Sequence, residues 1–277
     1  MRNQNLVSHS NLDEIIFPVE KVKSADLLLT SNFATDLEYC VHLEQQNKIT
    51  QFCGNNYQLI KNEELFLPVH DKLVGVFGSS GFTTKIESYD DRRFYVEFEV
   101  KDSIFEIMDK DELCPVIRMR NSYDGWLKQS VSFGYNRLIC TNGLTAFDEE
   151  MSFSKKHHKL SGLLDLNRVL EQIENIEVKI ERFKKLTDRV VTPQELETIL
   201  KTVKDSKSIK YPAKMLQSAK YIAQKEAAEL QTEMNAWLVY NGLNYPLNHH
   251  ETKLLPEEAS KIDSKVLASI EKTLHLN

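Results

Sequence analysis

From Phe94 to Lys101 the chain alternates. Phe94, Val96, Phe98 and Val100 are apolar, and Tyr95, Glu97, Glu99 and Lys101 fall between them. Side chains of a strand point to opposite faces in turn, so this period of two predicts a half-buried strand. Thr84, Ile86 and Ser88 supply its partner across the turn-forming "YDDR". Val116, Arg118 and Arg120 alternate with Ile117, Met119 and Asn121, and "SVSFGYNRLICT" reads as a further strand. Earlier, Tyr57, Leu59 and Ile60 predict a strand. Asn62 then N-caps a short helix carrying Leu65, Phe66 and Val69, in which Pro68 is an awkward member. Residues 57–144 therefore predict an antiparallel meander of about four strands. Within residues 1–50, "SADLLLTSNFATDLEYCVHLE" fits a strand or a helix equally well.

After "FDEEMSFSKKHHKLSG" the period changes. Leu163, Leu166, Leu170, Ile173, Ile180 and Phe183 recur at steps of three and four, an amphipathic helix. "TPQE" at Thr192–Glu195 is a capping box with proline at the first helical position, and it opens a helix with Leu196, Ile199, Leu200 and Val203 inside. A third helix is expected from about Pro212 to Tyr240, then a loop or bend at "NGLNYPLNHH", then a last helix from "LPEEASKI" to about Leu274. The fold class predicted is α+β: an antiparallel β-meander module in residues 1–160, followed by an α-helical module in 161–277.

Composition narrows the class. With 41% apolar and 27% charged residues, the 277-residue chain is that of a folded globular protein. No apolar run approaches the roughly 18 residues of a membrane span, and the opening "MRNQNLVSHSNLDE" lacks the apolar centre of a signal peptide. A cytoplasmic location is the expectation. Cys40, Cys53, Cys114 and Cys140 form no CxxC pair, so free buried thiols and no metal site are expected. P-loop, GxGxxG, HExxH, GxSxG and kinase signatures are all missing, and no cofactor is implied.

Charge is uneven. Residues 1–160 hold 18 Lys/Arg against 24 Asp/Glu, and residues 161–277 hold 17 of each. A net charge of −6 opposes generic nucleic-acid binding, so any such binding needs a local basic patch. One exists in the sequence: Lys201–Lys225 contains seven lysines, among them Lys204, Lys207, Lys210 and Lys214, with Asp205 the single acid and Tyr211 and Tyr221 interleaved. Lysines with aromatics suit a single strand, whose bases stack and whose phosphates need neutralising. The plainer reading is a solvated helix face.

Other polar constellations carry two readings each. Asp124-Gly125 is a tight-turn dipeptide, or else Asp124 is a carboxylate catalyst at a strand end. Cys140 is a packed strand residue, or a nucleophile with His157 or His158 as its base. "KKHHK" at Lys155–Lys159 is a solvated loop, or a phosphate contact through Lys155, Lys156 and His157. Arg118, Arg120 and Arg137 are expected on a basic strand face. Trp237, Tyr240 and Asn244 share one helical face, as an aromatic plug in the plainer reading.

Three stretches resemble one family. "NNYQLIKNEELF", "IRMRNSYDGWLKQSVSFGYNRLICTNGL" with "KKHH" after it, and "AWLVYNGLNYPLNH" are similar to the phage/plasmid-like proteins grouped as domain of unknown function 932. The motif positions are Tyr123, Asp124 and Gly125; Arg137, Cys140, Asn142 and Gly143; Lys156 and His157; then Trp237, Tyr240, Asn241 and His249. Trp126 and His158 depart from the family's usual serine and threonine. The resemblance implies a mobile-element origin, a cytoplasmic location (the host's if the gene is viral) and no established activity. The leading expectation is a non-enzymatic protein binding single-stranded DNA or RNA, as an oligomeric annealing or recombination accessory. The alternatives are an anti-defence or host-takeover module binding a host protein, and an enzyme built on Asp124, Arg137, Cys140, Asn142 and His157.

Overall fold

A computed structural model of the chain describes residues 6–28, 37–138, 144–167, 171, 180–248 and 256–276, with side chains except at 28, 144–152, 180, 248 and 256–260. Among them run β1 (Leu6–His9), β2 (Val19–Lys23), α1 (Ser24–Leu28), β3 (Tyr39–Leu43), β4 (Lys48–Cys53), α2 (Asn62–Phe77), β5 (Phe82–Tyr89), β6 (Arg93–Val100), β7 (Phe105–Met108), β8 (Asp111–Ser122), β9 (Gln129–Arg137) and β10 (Leu144–Lys155). The helices α3 (Ile180–Thr187), α4 (Pro193–Asp205), α5 (Leu216–Glu229), α6 (Ala236–Asn248) and α7 (Pro256–Thr273) follow. One sheet has the order β1-β5-β6-β8-β9-β10 with β7 paired to β8, and β2-β3-β4 form a second sheet. The fold is α+β, with antiparallel strands early and helices late. No described helix is long and apolar enough to cross a membrane.

The chain divides into two compact units, each discontinuous. The first comprises residues 1–102, 117–132 and 152–174, and the second 103–116, 133–151 and 175–277. The expected boundary at residue 160 does not coincide with this division. Leu113 and Tyr135 are core residues of the helical unit, whereas residues 117–122 of β8 and 129–132 of β9 belong to the other, so both strands contribute to both units.

In the first unit, Phe94, Val96, Phe98 and Val100 are all buried, and α2 contributes Leu65, Phe66, Val69 and Leu73 to the same core. Ring contacts from His70 to Phe82 and Phe98 seat α2 on the sheet. The β5–β6 connection turns through Asp90 and Asp91, both at positive φ (52° and 50°), the backbone that matches a hairpin's twist. Lys48 and Arg92 pair with Asp90. Three expectations change here. Tyr57–Ile60 is not a strand: Tyr57 makes an isolated bridge to His158. Lys61, not Asn62, is the N-cap of α2, and Asn62 turns inward to donate to the Ile15 carbonyl at 2.8 Å. Pro68 lies inside α2 without ending it. The first 50 residues supply β1, an edge of the large sheet, and β2, β3 and the start of β4 in the small one.

The second unit buries Phe183, Leu196, Ile199, Val203, Trp237, Tyr240, Leu243, Val266 and Ile270 in one cluster. The capping box at α4 forms: Glu195 N–H donates to the Thr192 hydroxyl at 3.3 Å, and Thr192 N–H to the Glu195 carboxylate at 2.9 Å. The expected helix from Pro212 to Tyr240 is two helices, separated after Glu229 with Gln231 at φ 53°. "NGLNYPLN", expected as a loop or bend, lies within α6. Gly242 reads as a breaker by composition, yet a Cβ there would strike the Ala219 carbonyl and come within 2.9 Å of the Ala223 Cβ. Its missing side chain is what lets α5 and α6 touch. Of the expected helix at 163–183, Leu163 lies ahead of the first helical residues and Phe183 sits in α3. Leu170 and Ile173 fall outside the described residues.

Candidate functional site

In the second unit Arg137 is enclosed rather than displayed. It is 1% exposed. Its Nε donates to Asp111 Oδ1 at 2.7 Å, its second guanidinium arm reaches Asp111 Oδ2, and its Nη1 donates to Glu226 at 2.6 Å. Trp237 Nε1 donates to the same Asp111 carboxylate at 2.7 Å, and the guanidinium lies 5.7 Å from the Trp237 ring centroid. A planar fork between two carboxylates is the arrangement arginine serves best. Arg137 is buried and paired with two acids, so it is not displayed to a nucleic acid, which corrects the expectation of a basic strand face. The rest of that face is half-buried: Arg118 pairs with Glu97 across the sheet, and Arg120 lies beside it in the alternation.

Near it, Asp263 accepts hydrogen bonds from the Tyr240 hydroxyl at 2.9 Å and the Asn244 amide. Burial raises its pKa to about 7, against the pull of those two donors. Burial also raises the Tyr240 pKa, and the Asp263 carboxylate adds to it. Both polar atoms of the Asn241 side chain are buried without a partner among the described residues.

The lysine-rich stretch lies on the surface of the same unit. Lys204, Lys207, Lys210 and Lys214 are exposed at the end of α4 and in the connection to α5. Lys220 and Lys225, by contrast, pair with Glu197 and Glu229. Tyr211 is not available for stacking: it is 6% exposed and its hydroxyl donates to the Leu243 carbonyl at 2.7 Å. Tyr221, on α5, is 65% exposed.

In the first unit Asp124-Gly125 forms the turn between β8 and β9. Gly125 has φ 71°, a conformation that favours glycine. Asp124 accepts from Trp126 N–H at 3.0 Å and from Arg93 Nε at 2.7 Å. The Arg93 guanidinium lies 4.6 Å from the Trp126 ring centroid, and Trp126 is 74% exposed. β4 runs alongside: the Thr50 hydroxyl donates to the Tyr123 carbonyl at 2.6 Å. The next residue, Gln51, reaches Gly125 so closely that a Cβ there would lie 2.8 Å from its Oε1.

His157 completes this corner. Its ring stacks on Tyr57 with centroids 5.6 Å apart, and its carbonyl accepts from Gln58 N–H at 3.3 Å. Burial lowers the imidazole pKa, while the backbone of Gln58 and the nearby Asp124 carboxylate oppose the shift. The basic neighbours mostly brace loops: Lys155 donates to the Leu163 carbonyl, Lys159 to Asn55, and Lys21 to the carbonyls of Asn55 and Tyr57. Lys156 is exposed. Gln129 ties the following loop down by bonds to Gly162 and Leu164. Among the described residues no three His, Cys, Asp or Glu side chains are placed to hold a metal.

A family model described as Domain of unknown function (DUF932) matches residues 51–270. The chain belongs to the DUF932 family. No curated protein and no solved structure matches it.

The DUF932 motif positions fall into two groups. Tyr123, Asp124, Gly125, Lys156 and His157 belong to the first unit, and Arg137, Trp237, Tyr240 and Asn241 to the second. Cys140, Asn142, Gly143 and His249 lie outside the described residues. Of the five residues of the enzyme reading, Asp124 and His157 share the first unit, while Arg137 is committed to its carboxylates in the other. Inspection of the sequence missed Gln51 and Tyr57 as site residues, and Asp111 and Glu226 as the partners of Arg137. Asp111 is one of three acids in "MDKDELCPV", with Asp109 and Glu112, and nothing in their local spacing singles it out.

Proposed function

We propose that this DUF932 protein binds single-stranded nucleic acid without catalysis, as an accessory to recombination or annealing on a mobile element. The observation that carries this reading is the set Lys204, Lys207, Lys210 and Lys214: all four are exposed, and no ion pair ties any of them to a carboxylate among the described residues. A cation held in a salt bridge has to give up its partner to bind phosphate, whereas these four do not. Tyr221 stands exposed on the next helix, where a base can stack. The net charge of −6 confines the attraction to this patch.

The test is fluorescence anisotropy with labelled single-stranded DNA at low and moderate salt. Binding is expected at low salt, weakening as salt rises. Reversing the four lysines to glutamate is expected to reduce the log–log salt slope by about 3, at ~0.7 per phosphate contact. No binding at low salt, or an unchanged slope in the variant, overturns the reading.

A further inference from the structure

The corner that holds the Asp124-Gly125 turn carries two cations without an acid. Lys21, from β2, reaches the β4–α2 connection and donates to the carbonyls of Asn55 and Tyr57, both at 2.9 Å. Lys159 arrives from the segment after β10 and donates to Asn55 Oδ1 at 2.7 Å. Two ammoniums thus meet at one asparagine, and no ion pair ties either of them to a carboxylate among the described residues. Burial lowers the Lys21 pKa; Cys53 opposes the shift, and the Lys159 charge adds to it. An anion at this point relieves the repulsion between the two. Each ammonium has three N–H groups, of which Lys21 has given two and Lys159 one, so donors remain for it. Lys159 is exposed, which leaves the approach open.

The same corner presents an aromatic ring. Trp126 is 74% exposed, and the Arg93 guanidinium lies 4.6 Å from its centroid. Arg93 is itself held, by Asp124 at 2.7 Å and by the Tyr89 ring at 5.1 Å from its centroid. An indole set against a fixed guanidinium is ready to stack without being ordered first. The exposed residues beside it in the turn are Gly125 and Lys128, so the ring stands among polar groups rather than in an apolar patch of the kind that marks a protein interface. Ring and cations are neighbours through Tyr57. Burial raises the Tyr57 pKa and Asp124, in the turn, adds to the rise, while the Tyr57 carbonyl is one of the two that hold Lys21.

A free anion would leave the ring unused, and a neutral aromatic ligand would leave the ammoniums uncompensated. A single strand has both the base and the phosphate. We infer that this corner is a second single-strand contact, in which Trp126 stacks on an unpaired base while Lys21 and Lys159 hold a backbone phosphate. The inference rests on the single-strand reading and extends it from Lys204–Lys214 to the first unit.

The protein has two tryptophans, and Trp237 is fully buried, so quenching of the exposed indole reports on Trp126. The intact chain is titrated at low salt with a labelled dT oligomer and with an abasic oligomer of equal length, following anisotropy and indole emission. The dT oligomer is expected to bind about tenfold more tightly than the abasic one, and it alone should quench Trp126. Trp126→Leu is expected to bring dT binding down to the abasic level. Lys159→Gln is expected to reduce the log–log salt slope by ~0.7, one phosphate contact. Equal binding of the two oligomers with no quenching overturns this contact and leaves the exposed lysines of the second unit standing. Quenching by dT, with a salt slope unchanged when those four lysines are reversed, supports this contact and overturns theirs. Indole emission that shifts to the blue with protein concentration alone means that a second copy of the chain covers Trp126, and overturns the inference.

Discussion

Arg137 and Asp111 form a two-pronged ion pair at 1% and 0% side-chain exposure, with Glu226 on the guanidinium's other side. Charges this deep are stable only in company. Removing Arg137 leaves two carboxylates facing each other in the core, and breaking a buried pair in this way destabilises by about 3–5 kcal/mol. Arg137→Met is therefore expected to lower unfolding stability by that amount. Arg137→Lys should recover only part, because an ammonium cannot fork between both acids. Denaturant titration measures both; a loss below about 1 kcal/mol in Arg137→Met would show that the network relaxes freely.

A gentler substitution tests the helix contact in the same unit. An alanine in place of a helical glycine ordinarily stabilises by up to about 1 kcal/mol. At Gly242 the added methyl meets the Ala219 carbonyl and the Ala223 Cβ, and a backbone carbonyl cannot swing aside. Gly242→Ala should instead be destabilising, by roughly 1–3 kcal/mol, as overpacking generally is. A raised melting temperature would mean that α5 and α6 do not approach this closely.

Asp263 gives a pH dependence with a definite sign. Its folded pKa of about 7 lies above its ordinary 3.8. Between those values the unfolded chain has released the proton and the folded chain has kept it. Stability therefore falls as pH rises through that window, by at most about 1.4 kcal/mol per pH unit, and the contribution is flat on either side. Other carboxylates titrate too, so the readout is the difference between wild type and Asp263→Asn. That difference should change steadily from pH 4 to about 7 and then level off. Parallel stability curves for the two proteins would sink the claim.

What could be read from the sequence depended on how far away each residue's partner lies. Phe94–Val100 announced its buried face because strand alternation is local. The capping box at Thr192 was equally legible, since both partners sit within three residues. Arg137 was not, because its acids lie 26 and 89 positions away and alternation alone placed it on an open face. Tyr57 looked like a strand residue, but its bridge partner is His158, a hundred residues on. Gly242 and Pro246 carried the signal of a bend, and tertiary packing kept them helical. The corner formed by Gln51, Tyr57 and His157 was hidden for the same reason. Each residue is unremarkable in its own segment, and only the fold brings them together beside the Asp124-Gly125 turn.

The Asp124 carboxylate serves two neighbours, and two substitutions separate its roles. Asparagine keeps a carbonyl oxygen that can accept from Trp126 N–H, but loses the charge that holds Arg93. Alanine loses both. The Asp124 side chain is 4% exposed and Arg93 22%, so the ion pair is partly screened and its removal is worth about 1 kcal/mol. Loss of the turn's hydrogen bond adds roughly another 1 kcal/mol. Asp124→Ala should thus be the less stable variant. Both should free the Arg93 guanidinium from its position 4.6 Å from the indole centroid, making Trp126 easier to quench with acrylamide. If the two variants lose equal stability, the turn hydrogen bond contributes nothing. If quenching is unchanged in both, Asp124 does not hold Arg93 against the indole.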